Sequence, residues 1–266
     1  FVGNGSDDVL ALCFRAFFNS DMPVIYPDIT YSFYPVWCEM LHIPFETIPV
    51  DDSFNINAAD YKRPNGGVVI ANPNAPTSIG RGLDFMREIL DANPDSVVIS
   101  DEAYVDFGGT SSVPLLKEYE NLVVVQTFSK SRSMAGMRIG YALGNKEIIS
   151  ALFAAKDSYN SYPLAGVASV EDEEYFRATV QKVVATRRRL TEELRAMGFD
   201  VADSSTNFLF AEHPKYRAKD IQEYLKTRDI YVRYFSKKRI DNRLRITIGT
   251  DEEIDALISA LRDYIK

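Results

Sequence analysis

The sequence predicts an α/β protein: a large domain on a mostly parallel sheet with one antiparallel strand, followed by a smaller α+β domain. Three observations carry this. Uninterrupted apolar runs at 67–71 and 96–100, with a helical stretch between them, read as strands of a parallel sheet covered on both faces. The run at 122–126 is another, but the next, 138–143, follows after only about a dozen residues. That is too short for a crossover helix, so this strand should run antiparallel. From Asn145 the alternation gives way to long helical periodicity.

Taken in order, 3–8 read as a turn rich in glycine and helix-capping residues, and 9–18 as a buried helix. A short strand follows at 24–26, a helix at 31–41 and a strand at 45–50. The helix at 84–92 connects the runs at 67–71 and 96–100. A long helix spans 173–197, where Phe176, Val180, Val183, Val184, Leu190, Leu194 and Met197 trace one apolar stripe and Gly198 ends it. Strands at 208–210, 230–232 and 244–248 flank a helix at 218–227. A last helix begins at Asp251, with Asp251, Glu252 and Glu253 on its positive end. The domain boundary falls near Ser158, giving units of 1–157 and 158–266.

The 266 residues match about two domains at roughly 150 residues each. Thirty basic against 38 acidic residues leave a net charge of −8, which argues against a nucleic-acid surface as the main business of the chain. The apolar share of 46% excludes a disordered chain. Two cysteines, Cys13 and Cys38, make neither a disulfide framework nor a thiolate metal centre, and both sit in apolar surroundings as inert core thiols. Two histidines, His42 and His213, read as structural, and no metal site is expected. No stretch approaches the roughly 20 apolar residues of a membrane helix. The chain opens at Phe1 inside a motif, without an initiator Met, so a preceding segment is expected.

Four segments carry chemistry, each with an ordinary structural alternative. Lys130 follows a buried strand, where α/β sheets bind ligands, and Arg138 comes eight residues later. A lysine that is desolvated or flanked by a cation can form a Schiff base; otherwise it is an exposed loop lysine. Asp101 closes an apolar strand, with Tyr104 three residues on; a carboxylate there could pair with a pyridinium nitrogen or simply cap a helix. The segment 72–77, Asn-Pro-Asn-Ala-Pro-Thr, marks a turn. The opening Gly-Asn-Gly-Ser-Asp lets backbone amides approach an anion at a helix start.

In this order the four segments resemble the pyridoxal-phosphate (PLP) aminotransferases of fold type I, and among them most closely the histidinol-phosphate aminotransferases. The resemblance extends through 159–162, 170–176, 206–208 and 244–250, essentially the whole chain. It implies PLP as cofactor, an amino donor and a 2-oxo acid acceptor as small-molecule partners, a homodimer, and a cytoplasmic place in histidine biosynthesis. By the same resemblance Lys130 would hold PLP as a Schiff base and shuttle the substrate proton. Asp101 would pair with the ring nitrogen, Tyr104 would bond the phenolic oxygen, and Tyr31 would stack on the ring. The amides of Asn4 and Gly5, the Ser129 hydroxyl and the Arg138 guanidinium would hold the cofactor phosphate. Arg245 would clamp a substrate carboxylate or phosphate, and Arg233 would add a second phosphate contact.

The sequence also departs from this pattern. Ala75 stands where the family places an Asn, so Asn74, one residue earlier, is expected to fill that role at the cofactor. Ser78 replaces a usual Gly, and 161–166 is shorter than the family segment. The family's N-terminal arm, with a tyrosine that reaches the neighbouring subunit's cofactor, lies outside the sequence. An aromatic aminotransferase, a phosphothreonine decarboxylase on the same fold, and a ligand-sensing domain of a transcription regulator remain as alternative readings.

Overall fold

The computed structural model describes residues 1–159 and 163–265. Residues 160–162, where the motif at 159–162 and the expected shortening at 161–166 fall in part, lie outside the described residues. In chain order the elements are β1 (Val2–Gly3), α1 (Ser6–Phe17), β2 (Val24–Pro27), α2 (Tyr34–Leu41), β3 (Phe45–Ile48), β4 (Gly67–Ala71), α3 (Leu83–Ala92), β5 (Val98–Asp101), β6 (Leu122–Thr127) and β7 (Gly140–Leu143). Then follow α4 (Lys146–Ala155), α5 (Pro163–Glu171), α6 (Glu173–Ala196), β8 (Asp200–Val201), β9 (Phe208–Glu212), α7 (Ala218–Lys226), β10 (Arg233–Tyr234), β11 (Arg243–Thr247) and α8 (Asp251–Tyr264).

The first seven strands form one sheet in the order β1-β7-β6-β5-β4-β2-β3. The strands β2 to β6 pair in parallel, and β7 returns antiparallel to β6, as the short connection requires. Successive side chains of a strand face opposite ways, so the continuous apolar runs feed two cores. Val69, Ile99, Val123 and Val125 pack under α1 and α2 with Phe14, Trp37 and Cys13. Val68, Ile70, Val98 and Val124 pack under α3 with Phe85, Met86 and Ile89. Each such side chain, fully withdrawn from water, contributes about 1.5–3 kcal/mol. A third core lies between α6, α7 and α8 and an antiparallel sheet of order β10-β11-β9-β8.

Several sequence expectations shift. The first helix begins at Ser6 rather than Val9, and Val2–Gly3 adds an edge strand on β7. Pro35 sits in the first turn of α2, which starts at Tyr34 rather than Tyr31. The strand expected at 230–232 lies instead at Arg233–Tyr234. Ile230 and Val232 do bury apolar surface against the third core, which explains their pattern. Their backbone groups are taken by α7, however: the Ile230 amide donates to Leu225 O, and the Gln222 side chain donates to Val232 O.

Candidate active site

The carboxyl ends of β4, β5 and β6, the first turn of α1 and the loop after β2 converge on a cleft of about 160 Å³. Asp101, Tyr104, Ser129, Lys130, Arg138 and Tyr31 all line it, so most of the residues predicted from sequence are brought together.

Asp101 ends β5, between Ala71 of β4 and Val125 of β6, and is only 5% exposed. Its Oδ2 accepts from the Tyr34 hydroxyl at 2.7 Å, and its Oδ1 accepts from the Ala103 amide at 3.3 Å. Burial pushes its carboxyl up to about 6, although the Tyr34 and Ala103 hydrogen bonds pull the other way. Glu102 points away from the cleft, where Ser100, Ser111, the Ser112 amide and Gln126 satisfy it. Lys130 follows β6 and is exposed in the open cleft, its Nζ 5.4 Å from the centre of the Tyr104 ring. Tyr31 is fixed by a 2.9 Å hydrogen bond to Asp7.

The anion end of the cleft is built around glycine. Gly5 caps α1 at φ +92°, and a Cβ there would lie 2.4 Å from Arg138 Nη2. Gly140 of β7 is equally confined, since its Cβ would meet the Gly5 carbonyl carbon and the Ser6 nitrogen at 2.3 Å. Only hydrogen at both positions lets guanidinium, strand and helix start close on one another. Arg138 donates to the carbonyls of Ala135 and Asn4, at 3.1 and 3.5 Å, and has no carboxylate partner among the described residues. Ser129 accepts from Thr127 at 3.0 Å.

Three of the residues predicted from sequence, Asn4, Gly5 and Asn74, do not line the cleft. The Asn4 amide donates to Asp8 Oδ2 at 2.8 Å, and Asn4 and Gly5 do not line the cleft. The first intrahelical bond runs from Val9 to Gly5, so the amides before Val9 make none, and of their residues Ser6 and Asp7 line the cleft. Asn74 is also turned away. Its side chain accepts from Thr30 at 2.7 Å and donates to Ile29 O and Thr77 at 2.8 and 3.0 Å, while Ala75 lines the cleft. The neighbouring Ser78 is held at φ +68° with its buried hydroxyl unpartnered.

Tyr31 and Ala75 also line a second cavity, of about 710 Å³, which contains Arg233 and Arg245. These two residues sit directly opposite each other across β10 and β11, so their side chains share one face. Neither forms an ion pair among the described residues, and the Arg245 Nε is buried without a partner. The Arg245 guanidinium lies 5.2 Å from the Phe208 ring, which meets Tyr104 edge-on at 5.1 Å. The pair thus presents two guanidinium groups to the cavity with no carboxylate bound to either among the described residues.

Sequence reasoning missed Ser6, Asp7 and Tyr34. The one available signal for Tyr34 was its spacing of three from Tyr31, in the turn that leads into α2.

A buried carboxylate facing a lysine, an aromatic wall and an anion cradle of free amides and guanidinium accommodate a phosphorylated pyridine, and the cleft is that of an aminotransferase. Residues 1–261 match the family described as aminotransferase class I and II, and the chain belongs to that family. Its relatives narrow the kind. It is 51% identical over 271 residues to a histidinol-phosphate aminotransferase of Lactococcus lactis, covering all of this chain and 75% of that protein. It is 53% identical over 269 residues to histidinol-phosphate aminotransferase 2 of Dechloromonas aromatica, covering 98% and 76%. The fold superposes on the histidinol-phosphate aminotransferase of Sinorhizobium meliloti in complex with pyridoxal-5'-phosphate, with a TM-score of 0.91 at 23% identity, over 99% of this chain and 76% of that one. The Clostridium acetobutylicum enzyme gives 0.90 at 22% identity, over 100% and 83%.

Proposed function

We propose that this aminotransferase exchanges the amino group of histidinol phosphate with 2-oxoglutarate, yielding imidazole acetol phosphate and glutamate in histidine biosynthesis. The observation that carries the substrate choice is the opposed pair Arg233 and Arg245, in a cavity joined to the lysine cleft through Tyr31 and Ala75. Histidinol phosphate brings a phosphate and glutamate brings carboxylates; a guanidinium fork accepts either.

When bound, pyridoxal phosphate supplies an electron sink for the pair left at the substrate carbon. The Ser6 and Asp7 amides, the Ser129 hydroxyl and the Arg138 guanidinium would hold its phosphate. Tyr31 covers one face of the ring and Tyr104 donates to its phenolic oxygen. Asp101, ionised, would keep a proton on the ring nitrogen. Lys130 binds the cofactor and moves the proton at the substrate carbon. The absence of an amide at Ala75 leaves Tyr104 as the hydroxyl donor beside the phenolic oxygen.

The working form is a cytoplasmic homodimer. Supporting this, Phe33, Met40, Leu41 and Phe45 leave an apolar stretch exposed on α2 and β3, and both cysteines are free thiols, as in a reducing compartment. Among the described residues no helix is long and apolar enough to cross a membrane. The partners are small molecules rather than nucleic acid, in keeping with the net negative charge. The boundary near Ser158 separates the cofactor-holding part from the part that supplies the arginine pair.

The test is a half-reaction screen. Protein loaded with pyridoxal phosphate should change its cofactor absorbance with histidinol phosphate and with glutamate, and borohydride should fix the label on Lys130. Reaction with an aromatic amino acid but not histidinol phosphate would reject the substrate. Release of carbon dioxide from phosphothreonine would favour a decarboxylase, and a label on another lysine would reject the site.

A further inference from the structure

We propose that Tyr34 is a positioning residue that holds the Asp101 carboxylate ionised and aimed into the cleft; this rests on reading the cleft as the cofactor site. The Tyr34 ring is fully buried among Phe14, Tyr26, Tyr31 and Trp37, at centroid distances of 6.1, 5.6, 5.6 and 6.2 Å. Those contacts need only a phenyl ring. A hydroxyl in such a place is costly unless it is bonded, and its partner is Asp101 Oδ2 at 2.7 Å.

The other groups around Asp101 leave this task to Tyr34. From α1, Asp7 and Cys13 face it; Asp7 works against its ionisation, and burial holds the Cys13 thiol neutral. Glu102, the next residue, also works against ionisation. Ala71 and Val125, on the flanking strands, carry no charge. The Tyr31 hydroxyl donates to Asp7, and Lys130 lies across the cleft. That leaves the Ala103 amide, at 3.3 Å, and the Tyr34 hydroxyl as the donors to the carboxylate. Burial and Asp101 push the Tyr34 phenol well above its ordinary range, so it remains a protonated donor at every working pH.

The test is Tyr34→Phe in the full chain, with the Asp101 carboxyl followed by infrared difference titration of the cofactor-free protein and its band assigned with Asp101→Asn. The midpoint should rise by about one pH unit, a roughly tenfold change in proton affinity. Affinity for added pyridoxal phosphate should fall by about twofold at pH 7 and by about tenfold at pH 5 in Tyr34→Phe, yet Tyr34→Phe should cost nothing further in an Asp101→Asn background. An unmoved midpoint, or equal losses in both backgrounds, would overturn the proposal. If Tyr34→Phe does not fold, 3-fluorotyrosine at position 34, a stronger donor of nearly equal size, should move the midpoint downward, and no movement would overturn it as well. Failure of the parent to take up pyridoxal phosphate at Lys130 would sink the cofactor reading, while the infrared midpoint would still decide the tyrosine–carboxylate pair.

Discussion

Asp101 illustrates how a single side chain trades fold stability for chemistry. Its carboxyl lies at about 6 in the folded chain, against about 3.9 when unfolded, so the folded state binds more protons between those values. Stability from this group is therefore greatest below about pH 4 and is lost as the pH rises through 6. The difference is worth about 3 kcal/mol. Asp101→Asn should raise the stability of the cofactor-free protein near pH 7 by about 1–3 kcal/mol, with the gain vanishing near pH 4. Denaturant titrations at several pH values check this. The same variant should lose several orders of magnitude in transamination rate. A stability difference between variant and parent that is the same at both pH values would show that burial does not penalise the charge.

At the scale of elements, β10 and β11 form one functional unit, because their register sets the spacing of Arg233 and Arg245. Losing one charge-assisted contact costs about 1.5–3 kcal/mol, or about ten- to hundredfold in binding. Arg245→Ala should impair both half-reactions in single-turnover kinetics, whereas Arg233→Ala should impair histidinol phosphate more than glutamate. Equal losses from Arg233→Ala would remove the case for a dedicated phosphate contact. This same hairpin shows what the sequence could and could not reveal. The strands β4, β5 and β6 were legible because burial on both faces leaves an unbroken apolar run, and Asp101 and Lys130 were legible because they stand where those runs stop. The strand β10 was not, since Ile230 and Val232 are apolar for packing reasons and spend their backbone groups on α7. The start of α1 was placed three residues late because it depends on the backbone turn at Gly5, which side-chain periodicity does not report. The surroundings of Asn74 were hidden for a related reason, because its three local hydrogen bonds exist only once the turn is folded.

Across the whole molecule, the third core and its sheet are fastened to the large sheet by specific polar contacts. Arg187 of α6 donates to the carbonyls of Phe107 and Thr206, at 2.8 and 2.5 Å. Arg239 reaches Asp28 at 3.1 Å and the carbonyls of Val50 and Asp51 at 2.9 Å, and Lys237 donates to Asp28 O. These contacts hold the arginine pair over the cleft. The exposed apolar residues of α2 and β3 are the surface offered to a second copy in the proposed homodimer. Sedimentation equilibrium should give twice the 30.0 kDa of the chain, and a fully active monomer would count against the dimer.

The opposed arginines also behave as an electrostatic spring. With nothing between them they repel across the hairpin, and any dianion that settles there relaxes the sheet. Buffers then cease to be neutral bystanders: inorganic phosphate should raise the melting temperature of the free protein and slow its turnover at the same concentrations. Saturation at a hundred times the dissociation constant corresponds to about 2.7 kcal/mol of added stability. Chloride at matched ionic strength should do neither, and Arg245→Ala should gain less from phosphate than the parent does.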